Sequence, residues 1–182
     1  MLRVCQKLRV VDAKSKRLGL VRTETDYLRA LLDAMANMDR YAEVEVLKSL
    51  GDVNLEKGQL DKNAEKYDRA MVLYRTALLR CEDADVGESL EYRYHYAEKL
   101  RLVVEGIVND DNMLETEATK SLGDVYLKRG TETRDATCLT KATALYNTAL
   151  ARCERFQGTV ALIHRLLYTA RIRQETKTSG YK

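Results

Sequence analysis

The sequence predicts an all-α fold, and three observations carry that prediction. There is no proline among the 182 residues, and proline is the residue that removes a backbone donor and clashes inside helices. Apolar residues recur at i, i+3, i+4, i+7 and i+8 over long stretches, which lines one side of a helix. Finally, Lys48-Ser-Leu-Gly-Asp-Val53 returns unchanged as Lys120-Ser-Leu-Gly-Asp-Val125, 72 positions later. Residues 48–82 laid on 120–154 give 18 identities in 35 positions, so the chain is read as an internal repeat of about seven or eight helices.

Residues 1–17 carry Leu2, Cys5, Leu8 and either Val11 or Val10 among basic residues, the pattern of a weakly amphipathic helix. Thr23 then offers an N-cap with Asp26 three residues on, and Leu28, Leu31, Leu32 and Met35 form the stripe of a second helix reaching about Met38. That stripe recurs at the same offset as Leu100, Val103, Val104 and Ile107. Asp39 and Asp111 are placed to cap the next helices, which are expected to run to about Lys57 and Arg129 and to end at Gly58 and Gly130 in the left-handed conformation.

The following helices are expected over about 61–82 and 133–155. Their stripes are Ala70, Leu73, Tyr74, Ala77, Leu78, Cys81 and Ala142, Leu145, Tyr146, Ala149, Leu150, Cys153. Third helices follow over about 87–107 and 159–175, with Leu90/Leu162, Arg93/Arg165 and Tyr96/Tyr168 in register. The tail, 176–182, has no periodic pattern. This gives one helical-repeat domain over 1–182, with a partial leading unit (1–38), two units (39–107 and 111–175) and the tail, and it reads as a segment of a longer array.

Charged residues make up 32% and apolar ones 45%, ordinary for a globular protein. The apolar runs are only a few residues long, too short for a membrane span or a signal-peptide core. Four cysteines form no Cys-x-x-Cys pair and stand near no histidine at metal-ligand spacing, so no metal or cofactor is expected. Cys81 and Cys153 read as small buried hydrophobes of an intracellular, cytoplasmic or nuclear protein. The net charge of +3 is too small to argue nucleic acid, but its distribution is uneven. Residues 1–22 hold seven bases against one acid, 82–117 eleven acids against three bases, and 118–182 twelve bases against five acids.

Residues 47–82 and 119–154 resemble the tetratricopeptide repeat, whose signature runs from a Leu-Gly pair through an Ala-x-x-x-aromatic-x-x-Ala helix. The first copy supplies Leu50, Gly51, Ala70, Tyr74 and Ala77, and the second Leu122, Gly123, Tyr126, Ala142, Tyr146 and Ala149. The resemblance implies a TPR-like antiparallel helical array, an α-solenoid. There are departures: Asn54 stands where the signature has tyrosine, and seven extra residues separate the glycine from the alanine. Glycine inside a helix costs about 0.5–1 kcal/mol. Close approach of the partner helix through Ala70 and Ala77, or Ala142 and Ala149, is the expected compensation.

In the resembled family, ligands lie on the face of the first helices that points away from the Leu-Gly seam. Here that face carries Glu45, Lys48, Asp52 and Glu56, then Glu117, Lys120, Asp124 and Lys128, each set on one stripe and with Lys48–Asp52 as a candidate intrahelical pair. Charge reversal at Asp52 and Asp124 is expected to leave folding intact. Tyr92, in an alternating trio with Tyr94 and Tyr96, is a further candidate contact, since at least one of the three is expected to be exposed. His95 and His164 are 69 positions apart, not repeat equivalents, and read as half-buried packing residues. No catalytic motif occurs. The expectation is a non-enzymatic module that binds a protein or peptide, as a scaffold segment of a larger protein, with self-association and RNA binding as the alternatives.

Overall fold

The computed structural model describes residues 2–154 and 156–179, with side chains over 16–154 and 157–176. Seven helices make up its regular structure: α1 Leu2–Ala36, α2 Arg40–Asp61, α3 Ala64–Arg80, α4 Ala84–Val108, α5 Asn112–Glu132, α6 Ala136–Arg152 and α7 Phe156–Ser179. The fold is all-α, with no strand among the described residues. The chain divides into two compact units, Met1–Glu98 and Lys99–Lys182. Among the described residues, no helix is long and apolar enough to cross a membrane.

The break expected before Thr23 is absent. Thr23 lies inside α1 and its hydroxyl donates to the carbonyl of Gly19 at 3.0 Å, as that of Thr25 does to Val21 at 3.1 Å. The Thr-x-x-Asp spacing imitates a capping box, but the residues before it are already helical and leave no free amide to cap. The side chains of Leu2, Cys5, Leu8 and either Val11 or Val10, expected on one face, lie outside the described residues.

In unit 1, Asp39 caps α2 as expected, its carboxylate accepting the amide of Ala42 at 2.9 Å. The end of α2 differs from expectation, because Gly58 is interior. Lys62 takes the left-handed conformation (φ 49°), and its N–H bonds the Gly58 carbonyl. A Cβ on Gly58 would lie 3.0 Å from the ring of Tyr67, so this glycine serves packing. Helix α3, capped by Asn63, runs antiparallel to α2: Gly51 meets Tyr74, Gly58 meets Tyr67, and Glu43 meets Arg80 at 2.6 Å. As numbers rise on one helix they fall on the other. The core joins Val44 and Leu47 of α2 to Ala70, Tyr74 and Ala77 of α3 and to Leu90 and Ala97 of α4. Each buried leucine or valine contributes about 1.5–3 kcal/mol. Across the hairpin, α1 packs on α2 through buried Leu20 and Ala34. It also delivers Glu24 to the buried Lys57, with Asn54 donating to the same carboxylate at 3.4 Å. Burial of Glu24 works against its charge, but the bonds from Lys57 and Asn54 hold its carboxyl below the ordinary range.

In unit 2, Asp111 caps α5 by accepting the amide of Leu114 at 2.9 Å. Gly130 again lies within the helix, packed on Leu139, while Arg134 in the following turn takes the positive φ of 55°. Asp135 caps α6; bonds from the Thr137 hydroxyl, the Cys138 thiol and the Thr137 amide lower its carboxyl to about 2. The core joins Ala142, Tyr146 and Ala149 to Leu162 of α7. That helix continues through 176–179, where the sequence shows no pattern, and the Thr176 hydroxyl bonds the Ile172 carbonyl at 2.9 Å. Cys81 and Cys153 are half-buried caps of α3 and α6 and not buried core residues.

Candidate functional site

The stripe on α2 occupies the side of the helix left between its neighbours. Glu45, Lys48, Asp52 and Glu56 are half-buried, and side chains from three other helices reach Asp52 and Glu56. Lys48 pairs with Glu45 one turn back, in place of the expected Lys48–Asp52 pair. Lys16 of α1 reaches Glu56 at 2.5 Å. Asp52 accepts the hydroxyl of Tyr74 of α3 at 2.7 Å and the Nε of Arg93 of α4 at 3.1 Å. Arg93 is braced in turn by the Ser89 hydroxyl, its Nη1 donating at 2.5 Å.

Unit 2 builds the same arrangement on α5. Asp124 accepts the Tyr146 hydroxyl at 2.7 Å, and Arg165 grips both carboxylate oxygens, Nε to Oδ1 at 2.7 Å and Nη2 to Oδ2 at 3.2 Å. Lys120 pairs with Glu117, and Lys128, which is exposed, lies 3.8 Å from Glu132. Burial, and then the bond to carboxylate, push the Tyr74 and Tyr146 hydroxyls far above the ordinary phenol range, so both remain donors. The bond to Asp124 raises Arg165 further.

Asp52 and Asp124 are therefore not outward carboxylates waiting for a partner. Each is the point where three consecutive helices are tied together, α2, α3 and α4 at Asp52 and α5, α6 and α7 at Asp124. The carboxylates remain partly exposed, 46% and 40%, on the side away from the tie. Arg93 and Arg165 are legible in the sequence only as residues in register; periodicity along one helix does not reveal that an arginine crosses to another.

The signature residues sit where the helices meet. Leu50, Gly51, Ala70, Tyr74 and Ala77 are buried in unit 1, and Leu122, Gly123, Ala142, Tyr146 and Ala149 in unit 2. The closest approach is made by the tyrosine rings, where the sequence points to the alanines. A Cβ on Gly51 would lie 2.4 Å from Cε1 of Tyr74, and one on Gly123 2.6 Å from Cε1 of Tyr146. Tyr126 is half-buried, with the Lys141 ammonium 5.3 Å from its ring centroid.

Tyr92 is half-buried and stacks on Tyr96, ring centroids 6.1 Å apart and planes 10° apart. All three tyrosines of the trio are half-buried, against the expectation that one is exposed. The two-residue step of about 200° turns Tyr94 away from the other two, while Tyr92 and Tyr96, four residues apart, return to one face and cover each other. His95 and His164 are exposed, not half-buried; His95 Nδ1 lies 3.7 Å from Glu98. A feature with no sequence signal is a pocket of about 170 Å³ at the start of α2, floored by Val44, Cys81 and Val86 and edged by Tyr41, Arg40 and Arg80. It has room for one apolar side chain.

No family model, curated protein or solved structure matches this chain. The chemistry must be read from the site alone. Each of the eight stripe charges has an opposite charge beside it, so a charged ligand could engage this face only by exchanging ion pairs and not by filling an empty site. Among the described residues, no three His, Cys, Asp or Glu side chains converge as a metal-binding group.

Proposed function

We propose that the chain is a TPR-like helical-repeat interaction module, a scaffold segment that binds a protein or peptide through the charged stripes of α2 and α5. The observation that supports this reading most directly is the recurrence of the whole site in the second copy of the repeated sequence. Gly51–Tyr74–Asp52–Arg93 has its counterpart in Gly123–Tyr146–Asp124–Arg165. Glu43–Arg80 has its counterpart in Glu115–Arg152. Conserving the tie within one chain keeps two stripes of like geometry, and repeated stripes suit an extended or helical ligand. Three of the four stripe positions keep their charge between copies, and the fourth reverses it: Glu56 in one stripe is Lys128 in the other. A cytoplasmic, non-catalytic role without cofactor belongs to the same reading.

The test is affinity capture with the whole chain and with a variant carrying Glu45→Ala, Lys48→Ala, Glu117→Ala and Lys120→Ala. These four side chains form two pairs, each within one helix and open to solvent on one side, and intrahelical surface pairs of this kind contribute about 0–1 kcal/mol each. The variant is expected to keep its melting temperature within a few degrees and to lose the partners of the parent chain. Equal capture by both proteins removes the stripes from the proposal.

A further inference from the structure

The outer side of α1 carries an apolar stripe for which the chain itself supplies the template. Leu18, Val21, Leu28, Leu32 and Met35 are 59, 53, 49, 67 and 51% exposed. Thr25, also exposed, completes alternating steps of three and four residues. Helix α2 packs on a different side of α1, against Leu20, Glu24 and Ala34. Six consecutive positions of a regular stripe are more than scattered surface hydrophobes.

The equivalent positions one repeat later lie on α4. Leu18, Val21 and Thr25 correspond there to Leu90, Arg93 and Ala97, and one repeat further, on α7, to Leu162, Arg165 and Thr169. In both helices this is the surface that docks on a hairpin. Leu90 and Ala97 are fully buried among Ala70, Tyr74 and Ala77, and Leu162 among Ala142, Tyr146 and Ala149. Twice, then, a helix with this pattern is seated on an antiparallel pair whose second member reads Ala-x-x-x-Tyr-x-x-Ala.

We propose that the outer stripe of α1 is a seat for a further helical hairpin beyond the two in residues 1–182, one with small residues on its packing face and an uncharged residue where α2 and α5 carry Asp52 and Asp124. The charge pattern selects this occupant over a second copy. The seated helices each bring an arginine to that aspartate, whereas α1 brings Val21. A second copy would have to release Arg93 or Arg165 and then set its carboxylate against a valine, with no counter-charge. Arg22 and Arg29, exposed and two helical turns apart along one edge of the stripe, call for acidic residues on the matching edge of the hairpin. This inference rests on the module reading above but uses a different surface.

The test titrates the full chain with defined probes. The first is a synthetic peptide of residues 40–83 carrying Asp52→Leu, the second a peptide of residues 112–155 carrying Asp124→Leu, and each has its unsubstituted form as control. At least one substituted peptide is expected to bind about tenfold tighter than its control and to slow amide exchange over 18–35. Leu28→Glu with Leu32→Glu in the chain is expected to abolish binding, and Val21→Arg to reverse the preference in favour of the aspartate-bearing peptide. No binding by either substituted peptide overturns the seat, as does a preference indifferent to residue 21. Sedimentation of the chain alone showing a dimer that Leu28→Glu with Leu32→Glu dissociates also overturns it, in favour of a second copy. Peptide binding that survives in the four-alanine variant of α2 and α5 separates this surface from the stripes, so either reading can fail without the other.

Discussion

The hydroxyl of Tyr74 donates to Asp52 at 2.7 Å while the ring beneath it lies on Gly51, the residue immediately before Asp52. One tyrosine thus reads two neighbouring residues of α2, the first by its absence of a side chain and the second by its charge. Tyr74→Phe keeps the ring and removes the bond. The expected loss is about 1 kcal/mol, reduced from a fully buried value because Asp52 is partly wet. Chemical denaturation of the variant and of Tyr146→Phe checks it.

Charge reversal of the aspartates is expected, from the contacts they make, to have an outcome opposite to the one read from the sequence. Asp52→Lys sets an ammonium against Arg93, and Asp124→Lys sets one against Arg165, so both variants are expected to lose stability and not merely a partner. Asp52→Asn, which still accepts from Tyr74, is expected to be the milder change. Thermal unfolding of the three proteins ranks them. Equal melting temperatures for all three and the parent would remove the tie as a source of stability.

Gly51→Ala and Gly123→Ala are expected to cost about 1–3 kcal/mol each, since the added methyl meets a ring that is buried on its far side. Gly19→Ala has the opposite expected sign. A Cβ there meets nothing within 4 Å, and the residue sits within α1, so stability is expected to rise by about 0.5–1 kcal/mol. Helicity by circular dichroism, with the melting temperature, distinguishes a continuous α1 from one broken before Thr23, where the substitution would gain little.

Glu24 makes the chain sensitive to acid. Its carboxyl sits lower in the folded chain than its ordinary 4.5, so the stability it confers is complete above about pH 4.5 and is lost as pH falls through the lower folded value. Glu24→Gln is expected to cost about 1–2 kcal/mol at neutral pH, because Lys57 is left buried without its counter-charge. It is also expected to flatten the acid limb of the stability curve. Denaturation midpoints measured from pH 3 to pH 7 provide the check, and parallel curves for parent and variant would reject the assignment.

What can be read from the residues is local or periodic. Asp39 and Asp111 cap the helices they are expected to cap, because an N-cap needs only its own side chain and an amide three residues on. The buried stripes of α3 and α6 follow from spacing alone. The departures share a different cause. Gly58 and Gly130 look like helix ends, but a glycine that clears a ring from another helix has the same local sequence as one that turns the chain. Thr23 looks like a cap, since nothing in Thr-x-x-Asp says whether the preceding residues are helical. The stripe of α2 lies on one face as its spacing requires, yet Tyr74, Arg93 and Lys16 arrive from three other helices, and no spacing within α2 announces them.

The tie at Asp52 also has a mechanical meaning. Tyr74 and Arg93 hang from the same carboxylate, so sliding α3 along α2 by one residue would misplace the ring and strain the arginine together. Within unit 1, shear of one seam is resisted by the other. A pull applied along α2 is expected to be met by all three helices as one stiff element, which then yields in a single step and not helix by helix.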